Sequence, residues 1–221
     1  MRAVALLLAA GRGERLAGDR PKAFLEVGGR TLLEHAVAAV EACPDVEGHV
    51  VAVPEGWEQE AERIGRRSGK HLAVVRGGPS RRASVGAAMA AVPEGIDVVV
   101  CHDVARPLAS PELFSAVLAP LDRADGAIPV LPVSDTVKRV AEGAVLETVP
   151  REGLALAQTP QAFRREALQA AHARDTGEGT DDAVLLERAG FRVAVVPGEP
   201  SNLKITVPED LRLARALLDD G

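Results

Sequence analysis

The chain has 221 residues, a formal net charge of −6, 47% hydrophobic and only 2% aromatic residues. Such a length suits one sizeable α/β domain and is short for two independent cores. The acidic balance and the scarcity of rings speak against nucleic-acid binding, which needs a broad basic surface or stacking platforms. Apolar runs of four to eight residues, broken by Gly, Pro and charge, are too short to span a bilayer. The first residues run into a glycine turn and charged positions without a cleavage-like site, so they read as a buried strand and the protein as cytoplasmic. Cys43 and Cys101 are too few and too far apart for a disulfide framework or metal cluster and read as buried thiols.

Taken in chain order, residues 4–8 form a continuous apolar run, as expected of a parallel strand covered on both faces. Residues 31–43 place Leu33, Ala36, Val37 and Val40 at helical spacing. The alternation continues with strands at 49–53, 71–75 and 97–101 and helices at 57–67 and 84–92. Ser110-Pro111-Glu112 starts a helix with a hydroxyl cap, a first-turn proline and a carboxylate facing the dipole. That helix should end near Leu121. Residues 127–133 are apolar but interrupted by Pro129 and Pro132, and 137–149 alternate apolar and polar residues around Glu142-Gly143, which predicts a hairpin or projecting arm over about 134–157. Helices return at 164–174 and 181–189, followed by strands at 191–196 and 203–206 and a last helix from Pro208 to about Leu218. The whole is expected to be a single domain over 1–221. It reads as a Rossmann-like, open, mostly parallel α/β sheet with helices on both faces, which would bind ligands beyond the carboxyl ends of its strands.

The strongest local feature is the run from Leu6 through Ala9-Ala10-Gly11-Arg12-Gly13-Glu14-Arg15, followed by Pro21-Lys22. Small residues and two glycines let backbone amides turn toward phosphate oxygens, and Arg15 and Lys22 supply positive charge. The run lacks the Gly-Lys-Ser/Thr ending of a Walker loop and the third glycine of the dinucleotide pattern. Asp103, just after a buried strand, is the natural carboxylate to face a metal ion. His102 beside it should point to the opposite face as a structural histidine.

Together with Gly77-Gly78, Arg81 and Ser84-Val85, His102-Asp103-Val104-Ala105-Arg106-Pro107, Asp135-Thr136-Val137-Lys138 and Asn202-Leu203-Lys204-Ile205-Thr206, the glycine-rich run resembles the 2-C-methyl-D-erythritol 4-phosphate cytidylyltransferase family over essentially the entire chain. The resemblance implies an enzyme that uses Mg²⁺ to transfer CMP from CTP to that polyol phosphate in the non-mevalonate isoprenoid route. It implies that Arg15, Lys22 and Lys204 stabilise the transferring phosphate, and that Ala9, Ala10, Gly11, Gly13, Gly78, Ser84 and Asp103 surround the nucleotide, with Asp103 also on the metal. The acceptor would meet Arg106, Thr136, Arg151, Thr159 and Thr180, with Arg151 coming from the exchanged arm of a homodimer. Pro79 and Ala83 stand where many relatives carry acids, and Ser201 where some carry Asp. Two alternatives stay open: a cytidylyltransferase for another polyol phosphate such as ribitol 5-phosphate, and a non-catalytic nucleotide sensor.

Overall fold

The computed structural model describes residues 1–11, 20–174, 177, 179 and 181–219. Their organising element is β1 (Ala3–Leu8), which lies parallel between β4 (Gly48–Val53) and β6 (Val98–Asp103), with β5 (His71–Arg76) beyond β4. A short antiparallel pair, β2 (Glu26–Val27) and β3 (Arg30–Thr31), precedes the first helix. Past β6 the direction changes. β11 (Gln161–Arg164) runs antiparallel between β6 and β7 (Gly126–Pro132). β10 (Ala155–Ala157) continues along the same edge of β7, and β12 (Val193–Pro197) pairs parallel on its other edge. The sheet is thus mixed but mostly parallel, as expected.

Alternation along β1 sends Ala3, Ala5 and Leu7 to one face and Val4 and Leu6 to the other, which is why its apolar run is unbroken. The first face is covered by α1 (Leu32–Ala42), α2 (Glu58–Gly65), α4 (Pro111–Leu118) and α7 (Pro208–Asp219), through Leu33, Val37, Ile64, Phe114 and Ala214. The second face takes α3 (Arg81–Ala90), α5 (Arg165–Arg174) and α6 (Ala183–Arg188), through Val85, Met89, Leu168 and Leu186. Truncating a buried leucine such as Leu33 to Ala in such a layer costs about 2–5 kcal/mol. Helix entries are set by side chains: Thr31 and Glu34 form a reciprocal capping box at α1, and Ser110 caps α4 ahead of Pro111. Among the described residues no helix is long and apolar enough to cross a membrane. Cys43 and Cys101 are buried free thiols.

Several boundaries differ from expectation. α3 starts at Arg81, not 84, because the Ser80 hydroxyl accepts from the Ala83 amide and caps the helix there. α4 ends at Leu118 and tightens into a short 3-10 turn at Ala119–Asp122 around Pro120. Residues 161–164, in part read as helix, pair with β6 and β7, so α5 begins at Arg165. Residues 203–206 are not a strand: the Ile205 amide donates to the Ala105 carbonyl, but no ladder follows. The hairpin is present as β8 (Val137–Ala141) and β9 (Ala144–Val149), turning through Glu142 and Gly143 with positive φ of 50° and 78°, the geometry of a type I′ turn. Val140, Val145, Leu146 and Leu156 lie exposed on this arm and on β10.

Buried histidines report on pH, His49 among them. His49 is fully buried on β4 with neither ring nitrogen partnered, its ring 5.4 Å from that of His71, which in turn sits 3.1 Å from a Glu62 oxygen. Burial, and then the neighbouring His71, push the His49 imidazole down from 6.5 to about 4. The unfolded chain therefore takes up a proton that the fold refuses, so this contribution is complete above 6.5 and declines as pH falls toward 4. The thermal midpoint should drop between about pH 7 and about pH 4.5, and His49→Leu should make that drop shallower. A variant with the wild-type pH dependence would show that His49 is not the responsible group.

Candidate active site

The loops after β1, β4, β5 and β6 all open at the carboxyl ends of parallel strands, where a sheet of this kind offers a ligand crevice. Two of them touch. A Cβ built on Gly77 would lie 2.4 Å from the Ala10 Cβ and 2.9 Å from Ser84 Oγ, so the turn after β5 reaches the end of β1 only because residue 77 has no side chain. A Cβ on Gly78 would meet that of Ala83 at 2.3 Å. The Gly78 amide donates to Ser84 Oγ at 3.1 Å, and that hydroxyl donates to the Ser80 carbonyl at 3.0 Å. Ser84 thus fastens the turn, and its backbone and Ala10 form a close, small-residue wall. The Ala9 amide is engaged in the sheet, donating to the Ala52 carbonyl at 2.8 Å, so Ala9 supports the wall from behind. Gly11 is exposed at the start of the glycine-rich run. Gly13, Arg15 and Thr180, given site roles from the sequence, lie outside the described residues.

At the end of β6, Asp103 has a side chain only 12% exposed. Its Oδ2 accepts from Lys204 Nζ at 2.7 Å and its Oδ1 from Arg81 Nε at 3.1 Å. Burial would raise this carboxyl, but Arg81 and Lys204 hold it well below the usual carboxylate range. Sequence reasoning assigned Asp103 and Lys204 to one site; their ion pair, across a separation of 101 residues, is seen in the structure. It quoted Arg81 as part of a motif without giving it a role. Lys22 opens a short 3-10 turn at Lys22–Phe24 that buries Ala23 and Phe24. Its charge reaches Asp210: against burial, the amides of Val207 and Thr206, the Thr206 hydroxyl and Lys22 hold that carboxyl below its ordinary value. Lys22 thus lies within electrostatic reach of the first turn of α7.

A buried polar lattice supports this end of the sheet. Thr159 is 4% exposed, and its hydroxyl accepts from the Asp103 amide at 3.0 Å and sits 3.2 Å from His102 Nδ1. His102 is the structural histidine expected, lowered to about 4, first by burial. With its hydroxyl engaged inside the protein, Thr159 is a brace for Asp103, which corrects its reading as a group presented to the acceptor. Arg106 is likewise tied down, donating from Nη1 to the Asn202 carbonyl at 2.8 Å and from Nη2 to the Ala157 carbonyl at 3.3 Å. Gln158 clamps the loop leading to Lys204, donating to the carbonyls of Glu199 and Asn202 and accepting from the Glu199 amide. Asn202 donates to the Thr159 carbonyl at 2.9 Å. The sequence reading did not anticipate Gln158 in this clamp. Its signal was the polar stretch Gln158-Thr159-Pro160-Gln161 interrupting apolar residues.

The arm brings together the two acceptor residues assigned to it. Thr136 is exposed at its outgoing base, and Arg151, at the returning base, donates to the Ser134 carbonyl. The two therefore travel on one arm, so an arm lent to a neighbour would carry both.

The contact between Ala10 and Gly77 gives a direct test of the wall. Gly77→Ala forces Ala10 to move, and overpacking of this kind costs about 1–3 kcal/mol. CTP binding, followed by titration calorimetry, should weaken by about tenfold or more. Unchanged affinity would mean that this contact does not shape the nucleotide pocket.

Similarity to known proteins identifies the family. The family model for 2-C-methyl-D-erythritol 4-phosphate cytidylyltransferase matches residues 3–220. A protein of that name from Frankia casuarinae is 45% identical over 98% of this chain and 81% of its own length. The crystal structure of the Thermus thermophilus protein of that name superposes with a TM-score of 0.82 at 40% identity, covering 99% of this chain and 100% of that one. The structure of 4-diphosphocytidyl-2C-methyl-D-erythritol synthase from Anaerococcus prevotii gives a TM-score of 0.86 at 30% identity, covering 99% and 98%. With its glycine wall, its Asp103–Lys204 pair and a family match spanning nearly its whole length, the chain belongs to the 2-C-methyl-D-erythritol 4-phosphate cytidylyltransferase family.

Proposed function

We infer that the protein transfers CMP from CTP to 2-C-methyl-D-erythritol 4-phosphate, releasing pyrophosphate and forming the diphosphocytidyl product in the isoprenoid pathway. The observation that carries the reading is the ionised, buried Asp103 held against Lys204 at the carboxyl end of the parallel strands, beside a wall of small residues. The acceptor phosphate is ionised at neutral pH, so its oxygen attacks the α-phosphorus without a protein base. One P–O bond forms as the bond to the β-phosphate breaks, and pyrophosphate leaves with the electron pair.

Two polyanions meet in this reaction, and charge builds on the α-phosphoryl oxygens in the transition state. Arg15, Lys22 and Lys204 are assigned to that charge. Lys204 has a side chain 43% exposed and can reach a phosphate while still anchored to Asp103. Gly78 and Ser84 set the width of the base pocket, Ala10 closes it, and Gly11 and Gly13 are assigned to the phosphates. Magnesium suits this donor set. Among the described residues there is no cluster of three or more His, Cys, Asp or Glu to enclose a cation, and a magnesium ion on a triphosphate needs only one or two protein carboxylates. Asp103 is ionised, and its two oxygens have lone pairs beyond the two N–H groups they accept. When bound, the ion would neutralise charge on the triphosphate.

The acceptor is assigned to Thr136, Arg151 and Thr180, with Arg106 shaping the floor and Thr159 bracing Asp103 from inside. Exposed apolar residues on the arm support a homodimer in which arms are exchanged, since an uncovered strand pair of this kind invites pairing. Neither nucleic acid nor membrane has a part in this reading.

Turnover of CTP with 2-C-methyl-D-erythritol 4-phosphate, followed by pyrophosphate release and compared with ribitol 5-phosphate, tests the reading. Reaction with ribitol phosphate alone would reassign the acceptor, and CTP binding without turnover of either would favour a sensor. Lys22→Ala should lower kcat by at least about a hundredfold without unfolding the protein. Arg151→Ala should chiefly raise the acceptor KM, and sedimentation should show a dimer. Wild-type acceptor kinetics in that variant would remove the arm from the site.

A further inference from the structure

Arg81 stands where a cation is locally unfavourable. It is the first residue of α3, whose opening turn contains no acid, so its charge faces the positive end of the helix dipole. Two carboxylates on opposite sides compensate. Nε donates to Asp103 Oδ1 at 3.1 Å and Nη1 to Asp182 Oδ2 at 2.6 Å. Asp182 has a side chain only 1% exposed and comes from 101 residues further along the chain.

Capping of α6 does not account for Asp182. That task falls to Asp181, which accepts from the Val184 amide at 3.2 Å and from Gln161 Nε2 at 2.8 Å, whereas Asp182 makes no side-chain cap bond. Its carboxylate instead faces Arg81, with His172 Nε2 at 3.8 Å. The result is an alternating row, Asp182, Arg81, Asp103, Lys204, that joins the segment preceding α6 to the start of α3, the end of β6 and the loop after β12. The last member, Lys204, is assigned to the phosphates.

We propose that Arg81 is a positioning residue for the transfer reaction, locking the Asp103 end of β6 to the segment at 181–183 so that the nucleotide and acceptor sides of the cleft keep a fixed separation. The proposal rests on the cytidylyl-transfer reading above. A planar guanidinium presents its N–H groups in a fixed fork that spans two carboxylates held apart in this way, a geometry that the compact ammonium of lysine does not reproduce. Arg81 meets the reactants through Asp103 and the 181–183 segment, so its influence should divide unequally between the two substrates.

Steady-state kinetics in both substrates, run below each variant's thermal midpoint, provide the test. Asp182→Asn should raise the acceptor KM about tenfold while the CTP KM stays within about twofold. Arg81→Lys should do the same and also lower kcat about tenfold or more. Removing one partner of a buried pair can unfold a protein, so the double variant Arg81→Met with Asp182→Leu, which leaves no buried charge unmatched, is measured alongside. It should fold and keep the raised acceptor KM. Wild-type kinetic constants in Arg81→Lys or in the folded double variant, or equal changes in both KM values, would overturn the proposal. Absence of wild-type turnover with the methylerythritol phosphate would instead strike the reading on which it rests.

Discussion

A carboxylate at the end of a strand buried on both faces stays ionised only if cations come to it, and Asp103 draws them from two directions. Lys204 arrives from the loop that follows β12, and Arg81 from the first turn of α3. Each drags its own segment into place, so the electrostatic demand of one side chain brings three remote parts of the chain to one end of the sheet. The polar lattice of Thr159, Gln158 and Asn202 answers the same demand with uncharged groups, orienting the Asp103 backbone and the loop that carries Lys204. Buried polar groups of this density are tolerated because most of them find partners.

Much of the fold was legible because both faces of β1, β4 and β6 are covered, which leaves unbroken apolar runs in the sequence. The hairpin was legible from Glu142-Gly143, a pair suited to positive φ. What the sequence hid were matters of partnership. Leu203-Lys204-Ile205-Thr206 alternates like a strand, but alternation says which side is buried and not whether a neighbour offers a ladder. Gln161–Arg164 was hidden for the opposite reason: four residues leading into a helix carry little periodicity, and their strand character comes from lying between β6 and β7.

At the site, the resemblance assigned Asp103 to the nucleotide and metal and Lys204 to the phosphate, and the structure pairs the two side chains. Residues named as ligand contacts by position proved harder to read. Ser84 and Thr159 turn their hydroxyls inward, and the sequence has no sign for the direction of a hydroxyl. Arg81 was passed over because its significance depends on Asp182, whose neighbourhood looks like an ordinary helix start until the cap is seen to be Asp181.

The distance along the chain between these partners has a consequence for how the protein comes into being. During synthesis, β1, β4, β5 and β6 can assemble while Lys204 is still unmade, and closing a loop of this length is entropically expensive and slow. Until the last segments emerge, Asp103 faces its burial without Lys204, and Arg81 without Asp182. The crevice therefore forms late in a growing chain: a nascent sheet is already a recognisable scaffold, yet competence awaits the segment that carries Lys204.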